Sequence, residues 1–490
     1  MKHQAFLIAA ILIGLLLGIP SPESHVIDPD HGQQLAGAQQ IAAGEHPFID
    51  FRSTYGPLSY YPSAVAQILS SDRIAAELAL GILGYLAAYL CLFAAVQCLT
   101  GRPWIAYVCT AVAVLLAPST YKYYIAAGPL VVLLASHRYL EKPGKIRLAL
   151  LALSVAATGL FRPDYGAYTA LTACAAIWLS EPGGRRWQTL SVWAALVVMF
   201  ASPWLLFLAA KGGLGEYLYS STWESMVQAR SLTLPLPQPD LLRLFSMSNA
   251  RFVSLVYFWT LPVACAAIVW RTRRSAAIVG DWRMVIVTVI LAQLTLLQSV
   301  HRSDHRHLVE AIPASLVLVA WLTAMATSAV RAGDRRVRLA GAAGLAATVI
   351  AMGAVSSAAI ELHDVEVASP LSVLRWSVEY SGTRSALVEG VRRRDPENWQ
   401  AAAIQYIRQC TAPDERVLAL PLLTSYYHLA GRRFAGGHMY ISPGFFNDEA
   451  DQRRFIAILK SQRVPVIIDI PGQRIDGRDD RRIRRMAPIV

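Results

Sequence analysis

Charge is what this sequence has least of. Only 16% of its 490 residues are Asp, Glu, Lys or Arg, against 55% hydrophobic, and the mean hydropathy is +0.40. A water-soluble chain of that length needs more charge to cover its surface. Cysteine is also scarce, with six residues, no C-x-x-C spacing and no paired framework. Cys91, Cys98, Cys109, Cys174 and Cys265 fall in apolar runs, where cysteine acts as a small apolar residue, and Cys410 stands alone in a polar region. Neither disulfides nor a zinc–thiolate site is expected. No internal repeat is present. The apolar run "AFLIAAILIGLLLGI" at 5–19 is followed by no A-x-A-like cleavage site, so it reads as a retained signal-anchor helix.

Long apolar runs are present in number. Eleven spans are expected at 4–20, 75–99, 104–117, 120–137, 147–161, 165–180, 188–210, 253–270, 284–300, 308–330 and 339–360. Most approach the length that crosses roughly 30 Å of hydrocarbon, with 104–117 and 147–161 short. The fold class that follows is an α-helical polytopic membrane protein with about eleven transmembrane helices. Residues 1–360 form its membrane domain, and 20–74 is a long first loop between spans. Residues 361–490 are expected to leave the membrane as a small α/β domain. There "ENWQAAAIQYIRQC" and "NDEADQRRFIAILKSQ" have helical period, the second with Asn447 as N-cap, and "RVLALPL" and "VPVIIDI" read as buried strands.

The net charge of +12 does not point to nucleic acid, because the basic residues are dispersed through short inter-span loops. If Lys2 is cytoplasmic, sixteen basic residues fall on that side. They are Lys2, Arg102, Arg138, Lys142, Lys145, Arg147, Arg185, Arg186, Arg271, Arg273, Arg274, Arg283, Arg331, Arg335, Arg336 and Arg338. The short loops of the other face hold only Lys122, Arg162, Arg302 and Arg306. This asymmetry predicts a multi-pass protein of the inner (plasma) membrane, with a cytoplasmic N-terminus and an extracytoplasmic, periplasmic C-terminal domain.

With that topology every unusual polar cluster falls on one face, and charged groups at membrane depth usually mark a site. The first loop holds Asp28, Asp30 and Asp50. "GQQLAGAQQIAAG", ending at Gly44, and "PLSYYPSAVAQILSS" read as two amphipathic helices lying at the interface. Its carboxylates suit either a general base or the oxygen ligands of a divalent cation such as Mg²⁺ or Mn²⁺, while Asp28-Pro-Asp30 is equally ordinary turn chemistry. "LFRPDYGAY" places Arg162 and Asp164 at a span boundary, where the arginine suits a phosphate oxygen or a mutual salt bridge. Lys122 in "STYKYY" has the same two readings. "QSVHRSDHRHLVEAIPA" gathers His301, Arg302, Asp304, His305, Arg306 and His307 at the head of a span. Those histidines suit a phosphate, an interface or, by i, i+4 spacing, a transition metal. The 211–252 loop mixes aromatics with Glu224 and Arg230, which suits a sugar or lipid headgroup or the water–membrane interface, and the outer domain's "YYHLAGRR" and "GGHMYISPG" suit acceptor binding or packing of that domain on the loop.

The stretch "DHGQQLAGAQQIAAGEHPFIDFRSTYGPLSYY" resembles the first outer loop of the GT-C superfamily of membrane glycosyltransferases. More narrowly it is similar to protein mannosyltransferase-like members that use polyprenyl- or dolichyl-phosphate mannose. Asp30 matches the aspartate that opens this loop and serves as catalytic base in the family. His31 stands where a second acid is usual. Asp50-Phe51 match the later acidic–aromatic pair, and Gly56-Pro57-Leu58 the step after it. The resemblance implies sugar transfer from a polyprenyl-phosphate-linked donor to a glycan, lipid or protein acceptor among membrane lipids. Asp30, Asp28 or Asp50 would act as catalytic residues. Arg162, Lys122, His301, Arg302 and His305 would face the donor phosphate, and Arg52, Tyr55, Asp164 and Asp304 the substrate. A transporter or lipid-linked-sugar flippase, and a non-catalytic assembly factor, are the competing readings.

Overall fold

The computed structural model describes residues 2–17, 29–70, 74–116, 120–240, 247–273, 279–303, 305–332, 380–442 and 449–470, with 348 and 378. Contacts divide the chain into two compact units. One takes residues 1–18, 82–202 and 233–368, and the other 19–81, 203–232 and 369–490.

The first unit is helical among the described residues. Helices stand at ten of the eleven expected span positions, and 339–360 lies outside the described residues apart from Thr348. Four of them, Ile74–Thr100, Gly183–Lys211, Asn249–Thr272 and Trp282–Val300, are long and apolar enough to cross a membrane. Their outward residues are themselves greasy: Val198 is 60% exposed, Val263 62% and Trp270 70%. A surface of that kind suits lipid, as in a multi-pass membrane protein. Inside, Val132, Tyr139, Leu151, Val155, Ile177 and Trp193 form a core cluster. Helices Lys145–Phe161 and Pro163–Ser180 approach closely where Gly159 meets Gly166, since a Cβ on Gly166 would lie 2.5 Å from the Gly159 Cα. The expected span 308–330 is two helices, His305–Ala311 and Pro313–Ala332. Pro313 takes the first position of the second helix, where its missing N–H costs nothing.

The second unit holds a three-stranded parallel sheet in the order β2-β1-β3, from Arg416–Leu420 (β1), Arg433–Phe434 (β2) and Val466–Asp469 (β3). Both strands expected from sequence are present. β1 is buried from Val417 to Leu420, but β3 is an edge strand with Ile467 61% exposed, which corrects the expectation of two buried strands. The expected helices are Trp399–Cys410, capped by Asn398, and Glu449–Lys460. Asn447 lies outside the described residues. Leu418, Leu420, Ile441 and Phe455 form the core over the sheet. All six cysteines are free.

The two helices of the first loop also form, as Pro29–Ala42 and Tyr61–Ser70, and Gly44 follows the first with φ +87°. The first is no surface helix: residues 31–38 are all buried, which departs from the expected interfacial placement. The cause is its small residues. A Cβ on Gly37 would meet the Tyr60 ring at 2.5 Å, and one on Gly32 the Ser425 backbone nitrogen at 2.2 Å, so neighbours close in on both sides. Only Tyr61–Ser70 turns an apolar face outward, with Val65, Ile68 and Leu69 exposed.

Candidate active site

Asp30 sits in the first turn of Pro29–Ala42, where the helix N-terminus favours a carboxylate. The Gln33 amide donates to its Oδ1 at 3.4 Å, and the side chain is half-buried. Next to it, His31 is 1% exposed, with Nε2 3.8 Å from Glu77 Oε1, and the Ser63 hydroxyl donates to the other oxygen of Glu77 at 2.5 Å. So the carboxylate beside His31 comes from another helix. Beneath them lies helix Thr424–Ala430, in which burial, with Arg384 and His31 alongside, holds the His428 imidazole well below its ordinary pKa. Asp28 lies outside the described residues.

Asp50 has a local task. Its Oδ2 accepts the His46 backbone N–H at 2.7 Å and closes a turn in which Phe48 takes φ +68°, a region that a bulky residue seldom occupies. Phe51 is core, with its ring edge-on to Phe434 at 5.5 Å. Arg52 is held by three carboxylates of its own unit: Glu216 at 2.7 Å, Glu224 at 3.4 Å and Asp451 at 2.8 Å. Glu224 is 3% exposed and ends a π-helical turn, Ser220–Glu224. Burial, opposed by the Ser220 hydroxyl and Arg52, pushes its carboxyl pKa up. Tyr55 is half-buried beside Tyr440, which hydrogen-bonds Gln228 and Thr54. The loop motif, the 211–232 segment and residues 436–442 of "GGHMYISPG" thus converge within this unit.

The first unit collects the expected phosphate-facing residues. Arg162 caps the junction between two helices, with Nε 2.9 Å from Asp164 Oδ1 and its guanidinium 5.0 Å from the centre of the Tyr165 ring. The Tyr165 hydroxyl donates to the Gln298 side chain, and the Gln298 carbonyl accepts the Arg302 backbone N–H at 3.1 Å. Arg162 and Arg302, far apart in sequence, are therefore joined through Tyr165 and Gln298. Lys122 is 3% exposed and ion-paired with Glu310, 5% exposed, at 3.0 Å. Asp304 and the side chains of His301, His305 and Arg306 lie outside the described residues, while His307 is half-buried. Among the described residues no group of three His, Cys, Asp or Glu could hold a metal ion.

Glu77, Glu216, Glu310 and Asp451 are the partners that sequence reasoning passed over, and Glu224 stood out only as part of the 211–252 loop. Glu77 and Glu310 did carry a signal, since each is an acid inside an expected apolar span.

No family model matches the chain, and no curated protein does. Solved structures do. ArnT from Cupriavidus metallidurans bound to undecaprenyl phosphate has a TM-score of 0.53 at 14% identity, over 95% of this chain and 90% of that one. Its apo state gives a TM-score of 0.51 at 14% identity, over 95% and 89%. The chain shares the fold of these two structures. At this identity the likeness speaks for architecture over nearly the whole chain. It agrees with the resemblance that "DHGQQLAGAQQ…YGPLSYY" carries in the first loop.

Proposed function

We propose that this protein transfers a sugar from a polyprenyl-phosphate-linked donor to an acceptor hydroxyl at the extracytoplasmic face of the membrane, with its N-terminus cytoplasmic. The observation that carries the reading is the likeness, over 95% of the chain, to ArnT bound to undecaprenyl phosphate. Transfer is inverting. Asp30 removes the acceptor's proton as its oxygen attacks the anomeric carbon, and the bond to the donor phosphate breaks on the opposite side. Asp28 is the alternative base. Asp50, which holds the 46–50 turn, supports the loop. Arg162, Arg302, His301 and His305 stabilise the departing polyprenyl phosphate, as preorganised cations do for developing negative charge. Lys122, expected in that set from the sequence, is ion-paired with Glu310. Arg52, Tyr55, Asp164 and Asp304 are the substrate-binding residues of this reading. Asp28 and Asp30 are also the oxygen donors that a hard cation such as Mg²⁺ or Mn²⁺ would take.

The test is purified protein in lipid vesicles with a panel of polyprenyl-phosphate sugars and candidate acceptors, run with Mg²⁺, with Mn²⁺ and with EDTA. Release of free polyprenyl phosphate coupled to acceptor glycosylation is expected. Movement of intact donor across the bilayer without hydrolysis would instead establish the flippase reading. Donor binding with neither outcome would favour an assembly factor.

A further inference from the structure

The helix His305–Ala311 has only seven residues, and Pro313 begins another helix two positions on. Two turns are too few to be stable on their own, so contacts with the rest of the unit must hold this one in place. Leu308 and Val309 are buried, and the Thr295 hydroxyl reaches the Ala311 carbonyl at 3.3 Å. The fourth contact is different in kind. Glu310 crosses to Lys122, at the head of the separate helix Tyr123–Glu141, with Oε1 3.0 Å from Nζ and both side chains at most 4% exposed. Tyr85, Tyr89, Ile125 and Leu316 enclose the pair, leaving a cavity of about 10 Å³, about one water.

Stability is a poor reason for such a pair. Each buried ion costs several kcal/mol in desolvation, and well-packed apolar residues in place of a buried pair are often neutral or stabilising. An ion pair does give something that apolar contacts lack. It fixes one carboxylate against one ammonium, and so fixes the rotation and height of a two-turn helix. That helix begins at His305, within four residues of His301 and Arg302.

We infer that Lys122 and Glu310 are positioning residues, whose buried pair sets the His305–Ala311 helix in the register that meets the donor phosphate. This rests on the donor reading above. Lys122 then acts on the phosphate through Glu310 rather than by contact.

The experiment measures two quantities on the full chain in detergent micelles: affinity for undecaprenyl phosphate and amide hydrogen exchange of residues 305–311. The variants are Glu310→Gln, the charge swap Lys122→Glu/Glu310→Lys, and the apolar pair Lys122→Met/Glu310→Leu, which keeps the protein folded if the single variant does not. Glu310→Gln is expected to weaken binding about tenfold or more and to speed exchange in 305–311. The swap should restore both to within about threefold, and the apolar pair should fold yet bind weakly. Binding as in wild type for Glu310→Gln and the apolar pair would overturn the inference, even if exchange rose, because the pair would then be structural only. Failure of the swap to restore binding would overturn it as well, and would return Lys122 to direct phosphate contact. If wild type itself bound no undecaprenyl phosphate, the donor reading would fall; the exchange arm would still show whether the pair fixes the helix.

Discussion

In the helical unit one lysine meets one glutamate; in the sheet-containing unit one arginine meets three carboxylates. The first pair is buried and the second cluster is partly exposed around a buried Glu224, and their charge balance differs. Lys122 and Glu310 cancel, so both can be replaced together without leaving a charge behind. Arg52 is outnumbered, and Glu216, Glu224 and Asp451 come from segments far from it in sequence. Removing the arginine strands a carboxylate that is only 3% exposed. A balanced pair in an apolar bundle specifies position, whereas an unbalanced cluster in a polar unit is a clasp whose strength depends on Arg52, on Arg454 at 3.7 Å from Glu216, and on pH.

The largest effect that follows is on Arg52. Arg52→Ala is expected to cost the second unit about 3 kcal/mol, the low end of the range for stripping one partner from a buried pair, because only Glu224 is buried while Glu216 and Asp451 are partly exposed. The apolar replacement of Lys122 and Glu310 should leave the helical unit within about 1 kcal/mol of wild type or above it. Denaturant titration with limited proteolysis of each unit reads both, and a silent Arg52→Ala would abolish the distinction. Glycine contacts provide a control in which the units should not differ. Gly32→Ala meets the Ser425 backbone and Gly166→Ala the Gly159 backbone, so each should cost about 1–3 kcal/mol by overpacking.

The effect of pH sharpens the comparison further. Burial, with Arg52 and Arg454 alongside, pushes His438 down to about 3, and His428 is also held low. Between about pH 6.5 and the depressed values the unfolded chain binds protons that the folded one refuses, so stability is lost as pH falls. Glu224 works the other way: its raised pKa means that the folded state keeps the proton longer, and stability is lost as pH rises through that range. Two histidines oppose one glutamate. The unfolding midpoint of the second unit should therefore fall on acidification from pH 7.5 to 5, and His438→Gln should flatten the slope. The smallest effect belongs to the exposed pair Arg453–Glu449, an i, i+4 contact. Glu449→Ala should change stability by only about 0.3–0.5 kcal/mol.

The helices of the first unit were legible because an apolar run announces itself without knowledge of its neighbours. The expected 75–99 and 284–300 became Ile74–Thr100 and Trp282–His301. The break at Ile312 was legible in principle from Pro313, but the apolar residues around it read as one span. Helix Thr424–Ala430 and the two-residue β2 were missed because elements that short carry no period of their own. Burial of Pro29–Ala42 was missed for another reason: Gly32 and Gly37 look like weak helix formers until one sees which backbone or ring lies against them. The site was half legible. Asp30, Arg162 and the 301–307 cluster could be picked out by residue type and context. The partners that define their surroundings, Glu77 for His31, Gln298 for Tyr165 and Glu310 for Lys122, lie 46, 133 and 188 positions away. Only the fold pairs them.

The most direct test of the proposed chemistry is single-turnover transfer by wild type and Asp30→Asn, with undecaprenyl phosphate affinity measured on both. The expected result is a loss of roughly 10²–10⁴-fold in the transfer rate, the usual contribution of a general base, with affinity within about twofold of wild type. Transfer at the wild-type rate by Asp30→Asn would contradict the assignment of Asp30 as base and move that role to Asp28.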